Sequence, residues 1–135
     1  MQDRRKFLKG SLVVAGVTLA SGIGRGQGAG KFPPGLVYTK DAPGRWAGRE
    51  SSHVPKATLE GKSIKIVNSH GMSEKHYIVK HTVLMTDGKL IGEKTFAPTD
   101  PAAESSFALP DGFKGTLWVT SFCNFHDLWL TEFTV

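Results

Sequence analysis

The sequence predicts an all-β sandwich, and three observations carry that prediction. After Pro55, apolar residues recur at every second position, as they do in strands with one buried face. Short runs of this kind alternate with turn signals such as Asp87-Gly88 and the Pro-Asp-Gly of residues 110–112. No apolar stripe of useful length has helical spacing after residue 30. Several short strands separated by turns are typical of a β-sandwich.

About seven strands are predicted in chain order. Residues 31–50 are rich in glycine, proline and charge, so they are expected to form a lead-in with one short strand. The clearest alternation places Ile64 and Ile66 on one face and Lys65 on the other. The predicted strands span residues 36–39, 63–68, 75–86, 89–96, 105–109, 116–122 and 128–135.

The first 30 residues have the organisation of an export signal. A basic segment at 1–10 is followed by an apolar run at 11–20, too short for a comfortable membrane span, and by small residues at 26–30. The pair Arg4-Arg5, followed by Lys-Phe-Leu-Lys, resembles the twin-arginine translocation signal. We therefore expect residues 1–30 to be a signal and cleavage region, residues 31–135 to be the domain, and the protein to be periplasmic or otherwise exported.

The net charge of +5 belongs mostly to that signal. The 135-residue chain has 17 Lys and Arg against 12 Asp and Glu. Five of these basic residues and one acidic residue lie in residues 1–30, which leaves 12 basic and 11 acidic residues in the domain. A nearly neutral domain lacks the clustered positive charge that nucleic-acid binding requires, so no nucleic-acid partner is expected.

The single cysteine and the histidines carry the chemistry. One cysteine excludes an intramolecular disulfide framework, a four-cysteine zinc site and a CxxC redox pair. Cys123 and His126 lie at the turn between the last two predicted strands, and such turn positions can converge at one end of a sandwich with residues from distant segments. All five histidines lie in the domain: His53, His70, His76, His81 and His126.

Strand alternation separates His81 from the other histidines. In the predicted strand 75–86, His76, Ile78 and Lys80 share one face, whereas His81 lies on the opposite face and further along the strand. We therefore expect His81 to be a structural or surface residue outside any shared metal site.

Three segments carry a resemblance to a known family. They are His-Val-Pro at 53–55, His-Gly-Met-Ser-Glu-Lys-His-Tyr-Ile at 70–78 and Cys-Asn-Phe-His-Asp-Leu-Trp at 123–129. Together they resemble superoxide reductase, the neelaredoxin and desulfoferrodoxin family, over roughly residues 45–135. The resemblance implies an immunoglobulin-like β-sandwich with one mononuclear iron. Four histidine nitrogens would lie in a plane around the iron, from His53, His70, His76 and His126. The sulfur of Cys123 would be the axial ligand, and the sixth position would be open.

The resemblance also implies an activity and partners. The family reduces superoxide to hydrogen peroxide with one electron and two protons, and the electron would come from a small donor protein such as a rubredoxin or a cytochrome. Family members of this size often form homo-oligomers. Because this chain has one cysteine, it lacks the four-cysteine iron module of desulfoferrodoxins and resembles the single-iron form.

The sequence departs from the family pattern at two places. The family has Glu-Lys before His-Val-Pro, where Glu caps the oxidised iron and Lys attracts superoxide, whereas this chain has Ser51-Ser52 there. Glu50 is displaced by one residue and is the candidate sixth ligand, and Arg49 or Lys56 could supply positive charge. Asp127 stands where the family usually has glycine, either tuning His126 or solvated.

Two other classes of function remain open at the level of sequence. A cupredoxin-like or iron-based electron carrier without reductase activity would also use His and Cys-x-x-His. Blue-copper sites usually place a methionine shortly after the final histidine, but no methionine follows Met85. A metal-free sandwich that acts as a binding module is the third class.

Overall fold

The computed structural model describes residues 31–135, and the predicted export signal lies outside the described residues. Neither helix in the described part of the chain is long and apolar enough to cross a membrane. The elements are β1 (Val37–Tyr38), a 3-10 turn (Gly44–Trp46), α1 (Glu50–His53), β2 (Lys56–Glu60), β3 (Ser63–Asn68), β4 (Ile78–Met85), β5 (Leu90–Thr95), β6 (Ala103–Ala108), β7 (Thr116–Cys123) and β8 (Asp127–Thr134).

The strands form two sheets that pack face to face. One sheet has the order β1-β8-β7-β4-β5 and the other the order β2-β3-β6, and every strand pair is antiparallel except β1 with β8. Ile64 and Ile66 of the smaller sheet pack against Val83, Leu117 and Val119 of the larger one, and all five are fully buried. The prediction of an all-β sandwich is therefore confirmed, with eight strands in the part of the chain that the structure describes.

The alternation predicted for residues 75–86 is wrong at its beginning. Ile78 and His81 are both fully buried, although strict alternation places them on opposite faces. The register explains the difference: Ile78 and Lys80 of β4 lie opposite the adjacent residues Cys123 and Phe122 of β7. This extra residue in β4 is a β-bulge. Beyond the bulge the alternation of side chains between the two faces is shifted by one residue, so Ile78 and His81 can both point into the core.

A second buried cluster lies near the beginning of β4. Ile78, Phe96, Ala103 and Cys123 form it, and the partly buried Met72 packs against it. This cluster therefore places the only cysteine of the chain at the end of β7, inside the sandwich and next to the loop that precedes β4.

Three polar side chains, which we call the core polar network, lie in the sandwich interior. His81 contacts Ser105 Oγ through Nδ1 and Asn68 Oδ1 through Nε2, both at 2.7 Å. His81 is fully buried, and Asn68 and Ser105 are nearly so. Burial lowers the pKa of His81 from 6.5 to about 4, so its ring is neutral at neutral pH. Of the two roles expected for His81 from the sequence, structural or surface, the structure shows a buried structural residue.

The buried ring should make the stability of the metal-free protein depend on pH. In an unfolded chain His81 binds its proton near pH 6.5, whereas in the folded chain it does so only near pH 4. Because the unfolded state binds more protons between these values, the free energy of unfolding should fall as the pH is lowered through this range, by on the order of 3 kcal/mol from His81. Urea denaturation from about pH 7 to about pH 4 would measure this. The variant His81→Gln should show a shallower dependence, and an unchanged slope would exclude His81 as its source.

Candidate metal centre

Three chain segments bring histidines and the cysteine to one end of the sandwich. His53 ends α1, His70 and His76 lie in the loop between β3 and β4, and Cys123 and His126 flank the turn between β7 and β8. His53 and His126 are buried, as is Cys123. All five residues predicted from the sequence as metal ligands therefore lie in the same region.

His53 is carried by a single helical turn. The His53 and Val54 amides donate to the carbonyls of Arg49 and Glu50 at 3.1 and 3.0 Å. Pro55 disfavours the helical conformation at Val54, which is extended, and the chain then enters β2. The sequence indicates that His53 lies just before a strand, and the structure shows that it also ends a short helix. Four residues are too few for a helical spacing of apolar residues to be recognised in the sequence.

The ligand atoms of these residues lie close together. Those offered by His53, His70, His76 and Cys123 are all within 4.8 Å of one another. His70 Nε2 lies 3.1 Å from His76 Nε2, and His76 Nε2 lies 3.0 Å from His126 Nδ1. His126 is outside the compact group of four, but its Nδ1 is 3.8 Å from Cys123 Sγ. The cluster is thus continuous across all five side chains.

Hydrogen bonds to the backbone orient two of the rings. His53 Nδ1 lies 3.0 Å from the Arg49 carbonyl, and His70 Nδ1 bonds to the Gly71 carbonyl. A carbonyl accepts, so in both rings Nδ1 carries the proton and Nε2 keeps a free lone pair facing the cluster. His53 Nε2 is buried without any hydrogen-bond partner. A buried nitrogen left unpaired is costly, and a metal cation would satisfy it.

The electrostatics of the cluster suit a cation. Burial lowers the pKa of His53 to about 4 and also lowers the pKa values of His70 and His126. These rings are therefore neutral at neutral pH, which is the form that binds metals. Burial raises the pKa of the Cys123 thiol. A cation at the centre would favour the thiolate and offset that cost.

A cleft of about 370 Å³ opens onto the cluster. His53, His70 and His76 line it together with Arg49, Ser52 and Met72, and with Ser69, Gly71 and Ser73. Arg49 is exposed at this opening, and its charge contributes to the lowered pKa of His126. Lys56, the other cation suggested from the sequence, is not among the residues that line the cleft.

Glu50 lies apart from the ligand atoms in this structure. Its Oε2 accepts a hydrogen bond of 2.8 Å from the Gly48 amide, and the group of metal-competent residues in 31–135 does not include it. The assignment of Glu50 as a sixth ligand stays a prediction. Ser52, which stands at the family's lysine position, contacts His53 Nδ1 through its hydroxyl at 2.8 Å.

His81 takes no part in the cluster, because both of its ring nitrogens bond within the core polar network. The separation of His81 from the other histidines agrees with the expectation, although the strict alternation used to reach it does not hold at the bulge.

An aromatic wall that sequence reasoning missed covers one side of the cluster. Trp46 meets His126 edge to face at 4.6 Å between centroids, and Phe125 lies 4.7 Å from His126. Asp127 Oδ2 accepts from Trp46 Nε1 at 3.0 Å and from Arg45 at 2.6 Å, and these bonds lower the pKa of Asp127. Asp127 is therefore paired rather than merely solvated. Trp46 lies in the irregular lead-in, where no periodicity signals a contact.

Asp127 adopts a left-handed backbone conformation with φ of 66°, so two substitutions there should differ in stability. Both Asp127→Ala and Asp127→Gly remove the bonds to Arg45 and Trp46, but only glycine adopts this conformation without steric strain. We expect the alanine variant to be about 1 kcal/mol less stable than the glycine variant, measured by urea denaturation. Equal stabilities would show that the backbone at this position is not constrained.

Comparison with known proteins gives one family and a set of similar folds. The Desulfoferrodoxin family model matches residues 48–132, a range that contains all five candidate ligands. No curated protein sequence gives a significant match.

Solved structures agree with this match at the level of the fold. The superoxide reductase (neelaredoxin) from Ignicoccus hospitalis is 21% identical with a TM-score of 0.64, and the alignment covers 74% of this chain and 94% of that one. The superoxide reductase (1Fe-SOR) from Giardia intestinalis is 24% identical with a TM-score of 0.56, covering 64% and 100%. That from Treponema pallidum is 25% identical with a TM-score of 0.50, covering 60% and 66%. Since the family model matches more than half of the sequence, this chain belongs to the desulfoferrodoxin family.

Proposed function

We propose that the protein is a superoxide reductase with one iron ion held by His53, His70, His76, His126 and Cys123. The observation that carries the proposal is the unpartnered Nε2 of His53, buried within a cluster of imidazoles and one thiol. Imidazole and thiolate together suit iron. The family match and the superoxide reductase neighbours support the same assignment.

Bound iron would supply the one-electron reduction of superoxide to hydrogen peroxide, with the electron drawn from a small donor protein such as a rubredoxin or a cytochrome. The chain itself supplies the surroundings of that reaction. Backbone carbonyls hold the rings of His53 and His70, and Trp46 and Phe125 shield the side of His126. We further propose that the protein is exported to the periplasm through the twin-arginine pathway. This pathway transports proteins that are already folded and loaded with metal.

We propose that Arg49 attracts the substrate anion, in place of the lysine that the family has before His-Val-Pro. It is the exposed cation that lines the cleft beside the histidines, whereas Ser52 occupies the position at which the family has lysine. Superoxide carries a negative charge, and a cation at the mouth of a cleft raises the local concentration of such a substrate.

Metal analysis and pulse radiolysis test the function together. Protein produced with ample iron should contain one iron per chain, show a thiolate-to-iron absorption band when oxidised, and convert superoxide to peroxide without releasing dioxygen. Cys123→Ser should abolish the band. Ser121→Ala is the matched control, because Ser121 is buried two residues earlier on the same strand face and should leave the band in place.

Other results would point to the alternatives. Bound copper, or bound iron without reaction with superoxide, would favour an electron carrier. Protein that contains no metal after growth with ample iron would contradict the proposal and favour a binding module.

The charge at the cleft should set the rate of substrate capture. Arg49→Ala should lower the second-order rate constant with superoxide by about tenfold at low ionic strength, and it should weaken the salt dependence. Ser52→Lys should raise the rate constant. Lys56→Ala is the control, since this exposed residue lies outside the cleft, and an equal loss in that variant would show that only the overall charge matters.

A further inference from the structure

The core polar network extends to the segment that carries His53. The side-chain nitrogen of Asn68 donates to the carbonyls of Ser52 and His53 at 3.1 and 3.0 Å. Its side-chain oxygen contacts His81 Nε2 at 2.7 Å, and His81 Nδ1 in turn contacts Ser105 Oγ at 2.7 Å. A continuous path of hydrogen bonds therefore runs from β6, through β4 and β3, to α1.

The donors and acceptors along this path allow one arrangement. Both hydrogens of the Asn68 amide go to carbonyls, so its oxygen must accept from His81, which places the ring proton on Nε2. His81 Nδ1 then accepts from the Ser105 hydroxyl. Every polar atom of the path is paired, and a fully satisfied buried network is rigid.

The path joins two of the three segments that carry candidate ligands, namely α1 and the loop between β3 and β4. Asn68 ends β3 two residues before His70, and His81 lies on β4, which begins two residues after His76. The Asn68 amide reaches the backbone of His53 itself. The relative positions of these three ligands are therefore coupled through two side chains.

The segment α1 needs such support. It has four residues and no side-chain cap at its N-terminus, and so short a helix is unstable by itself. Its last carbonyls have no partner within the helix, and Asn68 supplies hydrogens to two of them. The His53 ring is fixed to α1 through the Arg49 carbonyl. Any movement of α1 therefore moves Nε2 of His53.

We propose that Asn68 and His81 are positioning residues of the metal centre, which hold α1, and with it the His53 ring, at the place where it meets the ligands from the other two segments. The inference rests on the proposed function only in that the cluster binds a metal. Neither residue is a candidate ligand; both act through the backbone of His53.

The test measures metal affinity and helix order separately. Asn68→Asp keeps the shape of the side chain but removes both donated hydrogen bonds, and His81→Leu removes the partner of Asn68. Each should weaken binding of Co²⁺ and Fe²⁺ by about 10- to 100-fold in competition with a chelator, and each should shift the visible bands of bound Co²⁺. His81→Gln retains an N–H donor toward Asn68 and should recover most of the affinity. Ser105→Ala is the control that removes only the outermost bond, and it should have the smallest effect.

Hydrogen exchange in the metal-free protein gives a readout that does not depend on the ion. The amides of His53 and Val54 bond to the carbonyls of Arg49 and Glu50 and so close the turn of α1, and Asn68→Asp and His81→Leu should accelerate their exchange. If Asn68→Asp fails to fold, the His81→Leu and His81→Gln pair decides the question.

The outcomes distinguish this inference from the proposed function. Lower stability to urea with unchanged metal affinity, unchanged Co²⁺ bands and unchanged exchange would reduce both residues to ordinary core residues and overturn the inference alone. Failure of the unaltered protein to bind either metal would overturn the proposed function and this inference with it.

Discussion

Close contact between the ring nitrogens of three histidines is the constraint on which the rest of the structure depends. His76 brings its Nε2 to about 3 Å from nitrogens of both His70 and His126. Neighbouring rings that are both protonated would repel one another at that separation, so a low pKa of the buried rings favours the cluster. Burial at the end of the sandwich provides that condition, because it lowers the pKa of His53, His70 and His126. Burial in the domain thus favours the neutral, metal-binding form of these three rings in the metal-free protein.

The arrangement of the strands could be predicted where alternation and turn chemistry agree. Residues 63–68 were predicted within their observed bounds because two isoleucines face the core, and Asp87-Gly88 correctly marks the turn after β4. β2 was missed, because its residues are mostly exposed and only Ala57 reaches the core. The bulge in β4 was missed as well, since an extra residue is fixed by the partner strand and not by local composition.

The candidate site was predictable to a similar extent. Resemblance to family motifs predicted five candidate ligands that the structure brings to one region, because the residue types and spacings within each segment are local features. The supporting contacts are not local: Asn68 meets His53 across 15 positions, and Trp46 meets Asp127 across 81. Such pairs become visible only when the sheets bring the segments together. A single sequence therefore indicates which groups could bind a metal, but not what holds them in place.

The parallel pairing of β1 with β8 limits how far the described domain could be shortened from its N-terminal side. Val37 and Tyr38 lie opposite Leu128 and Trp129, and Trp129 donates from its indole to the His126 carbonyl. A peptidase that cut after these two residues would remove an edge strand beside the turn that bears His126. A cut after residue 46 would also remove the indole that packs against that ring. The lead-in from Val37 onwards is therefore part of the folded domain.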